Sequence, residues 1–346
     1  MTEEKIRAVL AKYNLGKMLD GVHAHEGLVQ VTLAIKREEA AQLEPLRAKI
    51  EAELSALAGV KNAAVVFTAH REAAPPPPSP VANILPGVKR VIAVASGKGG
   101  VGKSTVAVNL AVALARGGLQ VGLLDADIYG PSLPRMLGLA RKPEVKDGKM
   151  LPLHAWGVAC MSIGFLVEEE TAMVWRGPMV IGALTQMLTQ VEWGALDVLV
   201  IDMPPGTGDV QLTLAQKAAL FGAVIVSTPQ DIALLDARRG VKMFEQVRVP
   251  VLGIVENMSY FSCPNCNHRT DVFGHGGAQA EAARLGVPFL GEVPLLLAIR
   301  ETGDEGAPIT ASDPGGEAAG AFMAVAGRVA EMLQGAAVAG PKISIE

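Results

Sequence analysis

The chain has 346 residues, 50% of them hydrophobic, which is enough to bury sizeable cores in two domains. A net charge of −4 and a pI near 5.9 argue against a nucleic-acid-binding protein that depends on a basic surface. The polar, acidic N-terminus and the lack of about 18 uninterrupted apolar residues predict neither a secretory signal nor a membrane span. Three cysteines are too few for a disulfide scaffold. We therefore expect a cytoplasmic protein that has no nucleic-acid partner and no membrane partner.

Residues 1–72 have the pattern of a small α/β domain. Apolar spacing predicts, in order, a helix, a strand, a helix and a strand, over 6–13, 29–35, 43–57 and 60–67. His23, His25 and His70 fall outside the clear periodic runs, and we expect them in loops. Residues 73–90 are rich in proline, which favours extended polyproline II, so this stretch is predicted to be a semi-rigid linker.

A strand, a glycine-rich loop and a helix follow at the start of residues 91–346. The loop satisfies the phosphate-binding P-loop pattern G-x-x-x-x-G-K-[ST]. Glycines let backbone N–H groups approach phosphates, and the helix N-terminus adds partial positive charge. Lys103 is predicted to reach the outer phosphates and Ser104 to ligate Mg²⁺; the alternative is an ordinary glycine-rich turn. The predicted nucleotide contacts are Gly97, Lys98, Gly99, Gly100, Val101, Gly102, Lys103, Ser104 and Thr105.

Beyond residue 91, apolar strands alternate with helical segments, which predicts an α/β domain whose parallel sheet is covered by helices on both faces. Ligands of such sheets lie at the carboxyl ends of strands. Asp125 and Asp127 follow one buried strand, and Asp202 ends another. Facing the P-loop, these carboxylates would serve Mg²⁺ or the attacking water, and Asp202 fits the position that supports Mg²⁺ together with Ser104. The alternative for the aspartate pair is an ordinary loop cap.

Two further strand ends carry polar residues of interest. Asp202-Met203-Pro204-Pro205-Gly206 carries a glycine just after a strand end, and a glycine close to a γ-phosphate could donate its N–H group to it. Asn257 ends a later strand, and its amide can pair with the edge of adenine. The sequence lacks the Asn-Lys-x-Asp pattern, so guanine specificity has no support.

Cys263-Pro264-Asn265-Cys266 brings two soft thiol ligands together in a tight loop. In a reducing compartment this pattern suggests a metal, an iron–sulfur cluster or thiol redox chemistry. Two cysteines supply half of a four-thiolate cluster site, and a symmetric dimer would supply the other half. Zinc held by Cys263 and Cys266 together with His268 and His275 is the alternative, and an unliganded pair is a third possibility.

The motifs carry a family resemblance. The loop Gly97-Lys98-Gly99-Gly100-Val101-Gly102-Lys103-Ser104 resembles the deviant P-loop of the nitrogenase-iron-protein and septum-site ATPase class. Asn-Met-Ser-Tyr-Phe-x-Cys-Pro-x-Cys over 257–266 resembles the cluster-carrier branch of these ATPases, the Mrp/ApbC family, and the resemblance covers about residues 90–335. By order and size, residues 1–72 resemble the small iron–sulfur-assembly domain often fused ahead of such ATPases.

The resemblance implies specific roles. Lys98 would reach nucleotide phosphate across a dimer interface, and Asp127 would position the attacking water. The chain would be a homodimeric ATPase, with ATP and Mg²⁺ as cofactors, that carries a [4Fe–4S] cluster on Cys263 and Cys266. Its partners would be apo iron–sulfur proteins and assembly factors. Two alternatives stay open, a partitioning or septum-site-type ATPase and a zinc-binding, nucleotide-dependent scaffold.

Overall fold

A computed structural model of the protein describes residues 3–13, 15–25, 28–35, 40–60, 62–68, 84–167, 177–266 and 268–335. The chain divides into two compact units, Met1–Pro80 and Val81–Glu346. Residues 73–83 of the predicted linker, like His70, lie outside the described residues. The first strand of the second unit begins at Val88, inside the predicted linker, because Val88 already pairs with Leu196 of a neighbouring strand.

The first unit packs two helices against one sheet. Its elements are α1 (Glu3–Ala11), β1 (Leu19–His25), β2 (Leu28–Ala34), α2 (Ala40–Ser55) and β3 (Asn62–Thr68). Strand β2 pairs antiparallel with β1 and parallel with β3. Both helices bury apolar side chains against Val29, Val31 and Leu33, which share one face of the sheet. The loop prediction for His23 and His25 is wrong, because main-chain pairing with β2 makes this weakly patterned segment a strand.

The second unit alternates strands and helices along the chain. Its strands are β4 (Val88–Ala95), β5 (Val121–Asp125), β6 (Val145–Lys146), β7 (Lys149–Met150), β8 (Leu153–Ala155), β9 (Val158–Ser162), β10 (Leu196–Asp202), β11 (Gly222–Ser227), β12 (Val251–Asn257), β13 (Phe261–Ser262), β14 (Arg269–Thr270) and β15 (Phe289–Val293). Its helices are α3 (Lys103–Arg116), α4 (Leu133–Met136), α5 (Gly177–Thr189), α6 (Asp209–Lys217), α7 (Asp231–Gln246), α8 (Gly277–Leu285), α9 (Leu297–Asp304), α10 (Ile309–Ser312) and α11 (Glu317–Gln334).

A large sheet forms the centre of this unit, with the strand order β15-β12-β11-β4-β10-β5-β9-β8 among the described residues. Neighbouring strands run parallel, except that β8 is antiparallel at the edge. Helices α3 and α11 bury apolar side chains against one face, and α5 to α8 against the other. The predicted α/β class with a helix-covered sheet is confirmed. This topology brings the ends of β4, β5, β10 and β12 to one edge.

Glu281 on α8 is almost fully buried and joins two neighbouring elements. Its carboxylate accepts hydrogen bonds from Arg238 of α7, with Nε at 2.8 Å, and from Arg284, with Nε at 3.0 Å. Charge-assisted hydrogen bonds of this kind favour the ionised acid. The hydrogen bonds from Arg238, and then those from Arg284, lower the pKa of Glu281 to about 2.

Glu281→Gln tests the contribution of this contact. We expect the free energy of unfolding at pH 7 to fall by about 2 kcal/mol, because the amide loses the ionic hydrogen bonds. The folded-state pKa of Glu281 lies below its ordinary value of 4.5, so the stabilisation is present above about pH 4.5 and is lost as the pH falls toward 2. Urea unfolding monitored by tryptophan fluorescence reports on the second unit, which contains all three tryptophans.

The matched control is Glu301→Gln, because Glu301 is half exposed and pairs with Arg300 at the surface. It should change the unfolding free energy by less than about 0.5 kcal/mol. If Glu281→Gln lowered the free energy of unfolding equally at pH 7 and pH 2, ionised Glu281 would not be the source of the stabilisation.

Candidate functional site

The P-loop spans the turn from β4 to α3, at the carboxyl edge of the large sheet. Gly100 and Gly102 have φ values of 81° and 80°, a region that favours glycine. A Cβ atom at Gly97 would collide with the main-chain carbonyl of Asp236 on α7, and one at Gly102 would collide with the side-chain amide of Asn257. Neighbouring elements therefore pack against the loop main chain from two directions and leave no room for larger residues.

Four sequence-predicted residues meet at the start of α3. The Nζ atom of Lys103 lies 2.5 Å from Oδ1 of Asp202, 3.2 Å from Oγ of Ser104 and 3.8 Å from Oδ2 of Asp127. Lys103 is 6% exposed and Asp202 is fully buried. The structure thus brings the predicted phosphate-binding lysine together with the predicted magnesium and water-positioning residues. Lys98 lies half-buried earlier in the same loop, where its carbonyl accepts a hydrogen bond from Ser96 Oγ.

Three carboxyl groups in this cluster are withdrawn from solvent. Burial raises the pKa of Asp202 and of Asp127, and the positive charge of Lys103 opposes the shift in both. Asp125 lies beside Asp202 in strand register. Burial, followed by the charge of Asp202, raises the pKa of Asp125 to about 7. These acids are therefore more basic than their exposed counterparts, which favours proton acceptance at this edge.

Asp125 organises the loop that carries Asp127. Its carboxylate accepts hydrogen bonds from the main-chain N–H groups of Asp127, Ser132 and Leu133 at 3.1 to 3.2 Å. The hydroxyl of Ser162, on β9, donates a further bond at 3.0 Å. Asp125 therefore supports Asp127 through the main chain. Sequence reasoning missed Ser162, because its partner lies 37 residues away.

The acceptor groups near Lys103 fit a hard divalent cation. Asp202 Oδ2 is buried and has no hydrogen-bond partner among the described residues. An unpaired buried carboxylate oxygen is costly unless a cation or a water molecule completes it. Together with the Ser104 hydroxyl, it offers the oxygen ligands that Mg²⁺ prefers.

The second glycine-containing loop contacts the P-loop directly. The N–H of Gly206 donates to the carbonyl of Ser96 at 3.0 Å, and the N–H of Met203 donates to Val94 at 3.0 Å. The sequence predicted that the N–H group of Gly206 donates a hydrogen bond to a phosphate. In the structure this group instead joins the two loops, so phosphate contact requires exchange of the Ser96 bond.

Asn257 is 5% exposed, and its Nδ2 donates to the main-chain carbonyl of Val101 at 2.8 Å. The amide therefore supports the P-loop main chain, and its contact with adenine stays a prediction. The preceding residue, Glu256, is fully buried and was missed by sequence reasoning. Its only sequence signal is an acid inside an apolar strand.

Cys263 and Cys266 lie in the turn between β13 and β14. The N–H of Cys263 donates to the carbonyl of His268 at 3.0 Å, which closes the turn. The main-chain N–H groups of Asn265 and Cys266, and then the thiol of Cys266, lower the pKa of Cys263. The turn lies at the surface, where Cys263 is partly exposed and Cys266 is exposed. The turn is therefore suited to present thiolates to a soft metal or cluster.

The alternative zinc set is not assembled. Among the described residues, the potential ligands that lie within 4.8 Å of one another are Glu256, His275 and Glu292, and neither cysteine joins them. The guanidinium of Arg269 lies 3.0 Å from Nδ1 of His275 and 3.6 Å from Glu292. The positive charge beside these three potential ligands is therefore that of Arg269. An intrachain site made of Cys263, Cys266, His268 and His275 is therefore not what the structure shows.

Cys160 lies far from this chemistry, on β9 in the core. It is fully buried, and burial raises the pKa of its thiol to about 12. A neutral, enclosed thiol is a poor metal ligand. One chain therefore offers the two thiolates of Cys263 and Cys266.

Gly97→Ala tests the packing of α7 against the P-loop. The added methyl group meets main-chain atoms of Asp236, so we expect at least about a tenfold loss of affinity for a fluorescent ATP analogue and a lower melting temperature. The control is Gly320→Ala on α11, where the space is open; it should leave nucleotide affinity unchanged and raise stability by up to about 1 kcal/mol. Wild-type affinity and stability in Gly97→Ala would refute the clash.

The chain is similar to several known proteins. A family model described as ParA, NUBPL iron-transfer P-loop NTPase, matches residues 87–330. An iron-sulfur cluster carrier protein of Synechocystis is 47% identical over 333 residues, or 93% of this chain and 92% of the relative. An iron-sulfur protein required for NADH dehydrogenase, mitochondrial, from Arabidopsis thaliana is 56% identical over 252 residues, or 72% of this chain and 80% of the relative.

A solved nucleotide-binding protein in complex with ADP, from Archaeoglobus fulgidus, is 44% identical with a TM-score of 0.58, and the match covers 64% of this chain and 87% of that one. The cell division ATPase MinD of Pyrococcus furiosus shares the fold at 24% identity and a TM-score of 0.52, over 70% of this chain and 99% of that one. Among the described helices, none has the length and apolar character that a membrane crossing needs. With its P-loop, switch-like loops and cysteine turn in one α/β unit, the chain belongs to the family of NUBPL-type iron-transfer P-loop NTPases.

Proposed function

We propose that the chain is an ATP-binding and ATP-hydrolysing carrier that binds a [4Fe–4S] cluster between two copies and transfers it to apo-proteins. The observation that carries this proposal is the presence, in one unit, of the Lys103 cluster and of a cysteine turn whose N–H groups favour the thiolate of Cys263. Relatives named iron-sulfur cluster carrier proteins and a relative solved with ADP support both halves of the proposal.

In the proposed hydrolysis, the P-loop N–H groups and Lys103 bind the phosphates. Water attacks the γ-phosphorus, the bond to the β–γ bridging oxygen breaks, and ADP and phosphate leave. Asp127 orients the water and accepts its proton, a role that its raised pKa favours. Ser104 and Asp202 would hold Mg²⁺, which neutralises phosphate charge when bound.

The cargo requires a second copy of the chain. A [4Fe–4S] cluster takes four thiolates, whereas each chain offers Cys263 and Cys266. In a dimer with two-fold symmetry, two such turns face each other and complete the set. Transfer then proceeds by ligand exchange, in which thiolates of the recipient replace those of the carrier.

Exposed apolar side chains near the P-loop support the proposed homodimer. Tyr129 is 62% exposed beside the Asp127 loop, and Ile232 and Leu235 are 69% and 47% exposed on α7, the helix that contacts Gly97 through Asp236. Apolar groups of this kind favour burial against a partner. Lys98, on the P-loop, would reach the nucleotide bound to the other copy of the chain.

Neither alternative function gains support. The likeness to MinD shows the fold alone, and the histidines do not complete a zinc site with the cysteines. A cytoplasmic location stays a prediction, since the Arabidopsis relative is named as mitochondrial.

Cys263→Ala tests the cargo site. After anaerobic reconstitution, wild type should hold about two irons per chain with matching sulfide, and the variant should lose both the iron and the visible cluster absorbance, because half of each site is gone. Cys160→Ala is the control, because this buried thiol is no ligand, and it should retain iron. Iron retained by Cys263→Ala would refute the proposed ligand.

Subunit mixing tests whether Lys98 acts across the dimer. We expect Lys103→Ala and Lys98→Ala each to lower ATP turnover by about a hundredfold, the scale for losing one charge-stabilising group. In a mixed dimer, the P-loop of the Lys98→Ala chain keeps Lys103 and receives Lys98 from its partner. Random mixing should therefore restore about one quarter of wild-type turnover, because half of the dimers carry one complete site. No recovery on mixing would show that Lys98 serves its own chain.

A further inference from the structure

Residues 258–266 and 268–275 belong to a loop that carries the cysteine turn and is closed at its base by one buried carboxylate. Glu256 accepts a hydrogen bond from Ser259 Oγ at 2.6 Å, where the loop begins. It also accepts bonds from the N–H groups of Gly276 at 3.1 Å and Ala278 at 2.6 Å, where the loop returns to α8. Both ends of the loop are therefore attached to the same fully buried side chain.

The adjacent residue attaches this base to the P-loop. Asn257 donates its Nδ2 hydrogen bond to Val101, which lies between the two glycines of left-handed conformation in the P-loop. Met258 itself has a φ of 57°, and its Cε lies 3.6 Å from the position of a Cβ on Gly102. Displacement of the P-loop main chain near Val101 therefore acts directly on the first residues of the cysteine loop.

Further contacts fix the first residues of the loop, Ser259 and Tyr260, relative to its base. The N–H of Ser259 donates to Val293 at 3.0 Å, and the N–H of Leu295 donates to Tyr260 at 2.7 Å. The Arg269 guanidinium stacks on the ring of Tyr260 at 3.8 Å, which joins the outgoing and returning arms. Cys263 follows Tyr260 by three residues, so little chain separates the braced segment from the first thiol.

We propose that Glu256 and Asn257 couple the P-loop to the cysteine turn, so that nucleotide binding changes the accessibility of Cys263 and Cys266. The inference rests on the proposed function and assigns the route by which its two sites communicate. The N–H groups that bind phosphate and the Val101 carbonyl that binds Asn257 belong to one short loop. This route bypasses the Gly206 loop. Ser259 is a positioning residue in it, since it acts through Glu256.

Thiol labelling of the reduced, metal-free, full-length chain tests the route. The labelling rate of the cysteine pair is measured with no nucleotide, with Mg-ADP and with a non-hydrolysable Mg-ATP analogue. Cys160 is buried with its pKa raised to about 12, so it does not react in the folded protein. Nucleotide affinity is measured in parallel with a fluorescent analogue, and iron binding by reconstitution.

The variant is Ser259→Ala, which removes one attachment at the loop base. Its matched control is Ser262→Ala, the same substitution nearer the cysteines, where the hydroxyl contacts Glu317 at 3.3 Å and not Glu256. We expect wild type and Ser262→Ala to show at least about a fivefold nucleotide-dependent change in labelling rate, the lower end of typical coupling between sites. Ser259→Ala should show less than about a twofold change while it binds nucleotide with wild-type affinity.

Met258→Gly provides a second variant if Ser259→Ala fails to fold, because glycine accepts the positive φ and loosens the joint. It too should lose the nucleotide-dependent change. If Ser259→Ala or Met258→Gly keeps the wild-type nucleotide-dependent change in labelling rate, the proposed route is overturned. So does nucleotide-independent labelling of a wild-type protein that binds both nucleotide and iron, an outcome that leaves the carrier function intact. Failure of wild type to bind nucleotide or iron would instead refute the proposed function, and the inference with it.

Discussion

Lys103 and Asp202 form an ion pair that is almost wholly withdrawn from solvent at the carboxyl edge of the large sheet. Burying either charge alone would be very costly, so each requires the other, and the 2.5 Å contact connects the start of α3 to the end of β10. Asp127 and Ser104 lie within reach of the same ammonium group. The geometry of the proposed phosphate and magnesium sites therefore depends on this pair.

Around it, the site is built from main-chain contacts. Gly97 lies against α7, Gly206 bonds to Ser96, and Asn257 bonds to Val101. Packing and hydrogen bonds of this kind hold a loop in one shape, because a shift of one partner leaves a buried polar group unpaired or creates a clash. Binding of a phosphate by the N–H group of Gly206 would exchange its bond to Ser96, which gives the second loop a physical reason to respond.

The cysteine turn obeys a different constraint. It lies at the surface, with Cys263 partly exposed and Cys266 exposed, and its N–H groups favour the thiolate of Cys263. The turn is positioned at its base, where Glu256 holds both arms of the loop, and along the arms, where Arg269 stacks on Tyr260. The small unit at residues 1–80 has its own apolar core and contributes no cysteine.

The sequence by itself determined the features that depend on consecutive residues. The P-loop, the aspartates that end strands and the Cys263–Cys266 turn are local patterns, as is the alternation of strands and helices that predicted the α/β class. The tertiary structure decided which partners these residues meet. Asn257 meets Val101 across 156 positions of the chain, Cys160 is enclosed by the sheet core, and His275 meets Arg269 instead of the cysteines. Strand β1 likewise exists through pairing with β2. Such contacts follow from strand order and register, because long-range pairing brings together residues that no local sequence pattern identifies as partners.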